Sequence, residues 1–180
     1  DQDWMSENDY IEVFKLSDEA LKIIPTDPQS LAGLGDSYYS LKKYDLAIDS
    51  YKKATGQVNS DDRSYSMIAQ IYSELGDNDN ALASYYTVKS KVDKNSDSYI
   101  NALFNIGLFE SQKENYKNAE SAFLEIIQIN PKDYHTYSKL VQTYYRQNQY
   151  DKAKIYKSKL YEANKNGELN ASLKDMFCFD

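Results

Sequence analysis

Residues able to do chemistry are few and scattered along this chain. His135 is the only histidine and Cys178 the only cysteine among 180 residues. No group of histidine, cysteine or carboxylate side chains has the spacing of metal ligands. Asp77 and Asp79, interleaved with Asn78 and Asn80, have the oxygen donors of a calcium loop. The loop glycine and the distal bidentate glutamate are missing at their offsets, so the stretch reads as a polar turn. There is no glycine-rich phosphate loop. Asn170-Ala171-Ser172 is a glycosylation sequon, which matters only on a eukaryotic secretory route. The expectation is a non-catalytic protein without a cofactor or metal, whose function lies in binding.

Composition narrows what it could bind. Twenty-eight acidic against 21 basic residues give a net charge of −7, the wrong sign for a nucleic-acid surface. The 18 tyrosines therefore read as packing residues rather than base-stacking platforms. No stretch approaches the ~20 apolar residues that span a bilayer, so no membrane insertion is expected. Localisation stays open. A lone cysteine favours a reducing, cytoplasmic setting, while a start at Asp1 rather than Met fits either an exported, processed chain or a trimmed one.

The elements that must position any binding residues show in the spacing. Leu31, Leu34, Gly35 and Tyr38 lie three, one and three apart, and Ala47, Tyr51 and Ala54 four and three apart. Each set is one stripe of a helix. Lys42-Lys43-Tyr44 between them is long enough only for a turn, so the two helices are antiparallel and face each other. Gly35 and Ala47 are small where the helices cross, and large tyrosine and leucine side chains fill the surrounding space. The same unit returns. Tyr65, Ile68, Ala69 and Tyr72 repeat the first stripe, with Ala69 lying 34 residues after Gly35. Ala81, Tyr85 and Val88 repeat the second. Leu103, Ile106 and Gly107, with Ala119, Phe123 and Ile126, follow after a step of 38, and Tyr137, Leu140, Val141 and Tyr144, with Ala153 and Leu160, after a step of 34. Two positions break the pattern. Glu110 stands where the other first helices carry Tyr, and is read as snorkelling to the edge of the stack in preference to a paired carboxylate inside a groove. Lys157 stands where the other second helices carry Tyr or Phe.

This pattern resembles the tetratricopeptide repeat, whose first helix carries an aromatic or Leu, then Leu-Gly, then Tyr. Its second helix carries Ala, an aromatic and Ala, often closed by a proline such as Pro131. Asn59, Asp93 and Lys165 stand at the closing position elsewhere. The resemblance implies an all-α fold, an α-α superhelix built as a solenoid of helical hairpins. In that reading, residues 1–180 form one domain with repeats at 28–61, 62–95, 100–133 and 134–167 and an insertion at 96–99. Tyr10, Val13, Ala20 and Pro25 fall in register with a second helix, so 1–27 reads as a partial repeat, with Trp4 and Met5 as a remnant of its first helix, or as an N-terminal capping helix. Leu169, Leu173, Met176 and Phe177 make an apolar stripe, so 168–180 reads as a C-terminal capping helix. Asp27-Pro28 starts one helix, Ser60 or Asp61 caps the next, and Gly76 is expected in a left-handed turn.

The family's geometry further implies a concave face lined by the first helices. Its positions are Tyr39 in the first repeat and Arg63, Met67 and Gln70 in the second. The third supplies Asn101, Phe104, Asn105 and Leu108, and the fourth His135, Lys139, Gln142, Tyr145 and Arg146. Phe104 and Leu108 are apolar where a solvated face would be polar, Asn105 can hold a peptide backbone, and Lys139 and Arg146 can meet a carboxylate. One subfamily clamps a terminal carboxylate at positions that here read Ser66, Gln70, Asn105, His135 and Lys139; Asn105 matches and Lys139 keeps the charge. The expected function is a scaffold that holds a protein or peptide segment, one with an acidic residue or a free C-terminus. The rival is a regulatory or targeting segment of a larger enzyme or assembly whose catalytic part lies elsewhere. Residues 1–27 carry eight acidic and two basic residues and residues 134–167 two acidic and seven basic, which predicts weak head-to-tail self-association.

Overall fold

The computed structural model of the protein describes residues 7–58 and 62–177. Trp4, Met5, Asn59, Ser60, Asp61 and Cys178 lie outside the described residues. Among those described, the chain is all-α, with ten helices and no strand. They are α1 (Glu7–Ile23), α2 (Pro28–Ser40), α3 (Tyr44–Thr55), α4 (Asp62–Glu74), α5 (Asn78–Lys91), α6 (Asp97–Gln112), α7 (Tyr116–Ile129), α8 (Tyr134–Arg146), α9 (Tyr150–Lys165) and α10 (Ala171–Phe177). Consecutive helices pair as hairpins, α2 with α3, α4 with α5, α6 with α7 and α8 with α9. They fall into two compact units, one ending at Asp93 and the other beginning at Lys94.

In the first unit α1 lies on α2, and each later helix packs on its predecessor. The crossing of α2 and α3 is as tight as the small residues predict: a Cβ added to Gly35 would stand 2.6 Å from the Tyr51 ring. Ala47 and Tyr51 are fully buried there. Gly33 does the same for α1, where an added Cβ would meet Ser17 Oγ at 2.6 Å. Asp27 caps α2, its carboxylate accepting from Ser30 N at 2.7 Å, with Pro28 in the first turn. Asp77 caps α5 and also accepts from the Asn80 side chain at 2.7 Å, which is the polar turn read from Asp77–Asn80.

The second unit repeats the design. A Cβ on Gly107 would overlap the Phe123 ring. Residues 97–99 form the opening turn of α6, behind an N-cap at Ser96, and give that helix 16 residues against 13 in α2, α4 and α8. In the last hairpin Val141 takes the small residue's place, and Lys157 is exposed. The ring comes instead from the neighbouring Tyr156, stacked on Tyr144 with centroids 5.6 Å apart. Leu169 and Leu173 are buried against Tyr137, Val141, Leu160 and Ala163.

Four turns inside the hairpins share one conformation. Lys42, Gly76, Glu114 and Asn148 all have positive φ, between 55° and 72°. In each, the next residue's N–H returns to a carbonyl five positions back, as Lys43 N does to Tyr38 O at 2.8 Å and Asn115 N to Glu110 O at 2.8 Å. This satisfies carbonyls the helix end would leave open.

Glu110 does not snorkel to the edge. It is 4% exposed, and its carboxylate accepts from Asn115 Nδ2 at 2.8 Å and Asn118 Nδ2 at 3.1 Å. Asn115 in the hairpin bend and Asn118 in the first turn of α7 supply the donors that a buried carboxylate needs.

Candidate peptide-binding face

In the first compact unit Tyr39, Arg63 and Gln70 are tied into two hydrogen-bond groups. Arg63 Nη1 lies 2.7 Å from Asp36 Oδ2, and Asp36 Oδ1 accepts from Tyr51 Oη at 2.5 Å. Tyr39 Oη donates to Glu74 Oε1 at 2.6 Å, and Gln70 Nε2 bonds both the Glu74 carboxylate and the Tyr39 hydroxyl. Met67 is half-buried against the core formed by Ala47, Tyr51 and Ile71. Burial, followed by the bond to Glu74, raises the Tyr39 hydroxyl to about 12, so it stays a neutral donor. Asp36 and Glu74 were absent from the sequence-based set, because their role depends on which helix faces them.

The second unit gathers its candidates differently. Phe104 is half-buried, its ring 5.2 Å from that of His135 and 6.0 Å from that of Phe123. His135 keeps much of its surface open, yet crowding by its neighbours, then the charge of Lys139, lowers its pKa from the ordinary 6.5. Asn105 Nδ2 donates to the backbone and side-chain oxygens of Asn101, both at 2.9 Å. Tyr145 lies against Tyr150 with centroids 5.9 Å apart.

Four of the expected residues converge. Leu108 on α6 and Lys139, Gln142 and Arg146 on α8 line a pocket of about 200 Å³. Its lining is completed by Phe123, Ser111, Gln112 and Thr143. These last four were not singled out in the sequence. Ser111 and Gln112 lie three and four residues past Leu108, the spacing that shares its helix face. The lining holds two cations and no carboxylate. Lys139 and Arg146 are seven residues apart on α8, two turns or roughly 10 Å along the axis, so they would take two separate anionic groups.

Against this geometry, the family model for the tetratricopeptide repeat matches residues 28–56, 62–90 and 100–133. The chain belongs to the tetratricopeptide repeat family. The matched segments open on α2, on α4 and within α6, and each covers one hairpin. Among curated proteins, none matches the chain in sequence. Similar solved structures include MamA, at 20% identity and TM-score 0.71 over 90% of this chain and 93% of that one. YrrB, described as a tetratricopeptide repeat protein with an unusual peptide-binding site, has 19% identity and TM-score 0.66 over 83% and 75%. PilF of Pseudomonas aeruginosa has 17% identity and TM-score 0.63 over 95% and 84%. At such identities the likeness is one of fold. The tetratricopeptide repeat is a protein-interaction scaffold, and the match indicates no catalytic family.

Proposed function

We propose that this protein holds an acidic peptide segment of a partner protein, with the α6–α8 pocket as its main recognition site. The observation that carries this reading is the lining: an apolar seat at Leu108 and Phe123 beside Lys139 and Arg146, with no carboxylate to neutralise them. No ion pair engages either cation among the described residues. An apolar side chain of the peptide supplies affinity by filling the seat, since a few buried anchors dominate an interface. The cations select among sequences and speed encounter. Two carboxylates three residues apart on a polyproline II segment share one face and are separated by roughly 9 Å, close to the two turns between Lys139 and Arg146. The YrrB likeness supports peptide binding as the mode, and the pocket's chemistry supports the acidic preference. Affinity is modest, because a flexible peptide loses freedom on docking.

The test uses a fluorescent peptide with two glutamates three residues apart around a leucine, and a control peptide with lysines in their place. The acidic probe should bind at least about tenfold more tightly at low salt, the difference shrinking as salt rises. Lys139→Glu and Leu108→Ala should each weaken it, while Lys43→Glu, the same charge change on an exposed turn, should not. Equal binding of the two probes, or variants indistinguishable from the wild type while still folded, would overturn the assignment.

A further inference from the structure

Two helices expose stripes that belong to neither the pocket nor the core. On α1, Glu12, Leu16, Glu19 and Ile23 are all exposed and lie four, three and four residues apart, so they share one face. Leu16 is 58% exposed and Ile23 80% exposed. The face therefore alternates carboxylate and bare aliphatic side chain. On α9, Tyr150, Lys154, Lys157, Tyr161 and Lys165 are also exposed, at steps of four, three, four and four. Tyr150 and Tyr161 are each 58% exposed. This face carries two rings and three ammonium groups at nearly the same helical rhythm. From Glu7 to Ile23, α1 holds five acidic and two basic residues, whereas α9 holds five lysines against Asp151 and Glu162.

We infer that the α1 stripe of one copy docks on the α9 stripe of a second copy, giving head-to-tail association. Opposite charge and matched spacing select the partner: with steps of three to four residues on both helices, an antiparallel match sets Glu12 and Glu19 against Lys165 and Lys157, Leu16 on the Tyr161 ring and Ile23 along the Lys154 stem. Aliphatic side chains standing in water gain most from being covered. A second copy of α1 on α1, or of α9 on α9, would set like charges opposite each other. The two stripes belong to different helices, so the contact is heterologous, and repetition extends it into an open row unless the rotation closes a ring. One helix face against another buries less than a standard interface, so association is weak, concentration-dependent and sensitive to salt.

The experiment is sedimentation of the full chain with charge-reversed variants, Glu12→Lys/Glu19→Lys on α1 and Lys154→Glu/Lys157→Glu on α9. The wild type should gain mass with concentration at low salt, and its association constant should fall about tenfold or more by 0.5 M salt, where the Debye length is only a few ångströms. Each variant alone should stay monomeric, because its two stripes then carry the same sign. Mixing the two variants should restore association, since each stripe again meets an opposite one. Leu16→Ser/Ile23→Ser, which leaves charge untouched, should weaken association by at least about threefold. Helicity equal to the wild type shows that each variant is folded. A single monomeric wild-type species across concentration at low salt would overturn the inference. So would variants that associate like the wild type, or mixing that restores nothing.

Discussion

At the scale of single residues, His135 stands one helical turn from the pocket residue Lys139 and should make peptide binding depend on pH. Its neighbours favour the neutral ring: crowding disfavours the imidazolium, and Lys139 adds repulsion. Protonation in the free protein is therefore delayed to a pH below the ordinary 6.5. An acidic peptide at Lys139 supplies the opposite charge, which draws the proton back. By linkage, proton uptake on binding means that affinity rises as pH falls through that range. The acidic probe should bind about two- to fivefold more tightly at pH 5.5 than at 7.5, and His135→Asn should flatten the profile, both measured by fluorescence anisotropy. Glu110 works differently. Its two amide partners make it a structural carboxylate in the last turns of α6, and Glu110→Ala strands Asn115 and Asn118. The loss should be about 1–3 kcal/mol in urea unfolding, with peptide affinity unchanged.

At the scale of elements, each hairpin is set by a crossing and a turn. Gly107 leaves no room for a methyl group beneath Phe123, so Gly107→Ala should cost about 1–3 kcal/mol by overpacking. Phe123→Leu in the same chain should recover part of that loss, read as coupling in a double-mutant cycle. The turn predicts the opposite sign. Glu114 has a φ of 61°, a region costing about 1–2 kcal/mol for a residue with a Cβ, while glycine carries about 0.5–1 kcal/mol of extra unfolded-chain entropy. Glu114→Gly should therefore stabilise the hairpin by roughly 0.5–1 kcal/mol, raising the melting midpoint. The crossing was legible in the sequence because glycine and alanine recur against aromatic residues at fixed steps. The turn was legible only at Gly76. Lys42, Glu114 and Asn148 take the same backbone form without announcing it, because the hydrogen bonds closing the helix impose it on whatever residue is there. Glu110 misled for a related reason: its donors come from another helix, and no pattern within α6 reveals them.

At the scale of the whole molecule, tyrosine hydroxyls bonded to carboxylates recur in both compact units. Tyr39 bonds Glu74, Tyr99 bonds Glu125, Tyr134 bonds Glu168 and Tyr144 bonds Glu120. Burial first and the carboxylate second raise Tyr39 and Tyr99 to about 12, and the carboxylate bond first raises Tyr134 to about 12. In the unfolded chain these groups ionise near their ordinary 10.0. Their contribution is complete below pH 10 and is lost as pH rises toward 12. Urea midpoints should fall steadily across that interval, and the tyrosinate absorbance of the folded protein should lag behind that of the unfolded chain. The repeat order was readable because stacked hairpins are set by neighbours close in sequence. The pocket was readable only in part. Family positions supplied Leu108, Lys139, Gln142 and Arg146, while the rest of its lining depends on how α6, α7 and α8 meet.

The fit between the halves of each hairpin bears on how such a chain can be rearranged over evolutionary time. Gly35 sits beneath Tyr51 and Gly107 beneath Phe123, while Val141 fills its own space and Lys157 leaves the ring out. A gene crossover between hairpins carries a matched pair into its new place. A crossover within one, joining the α8 half to the α7 half, sets a valine against a phenylalanine where only a hydrogen fits. Inheritance of this protein's parts is thus partitioned at the loops between hairpins, and lineages that shuffle repeats should show their seams there.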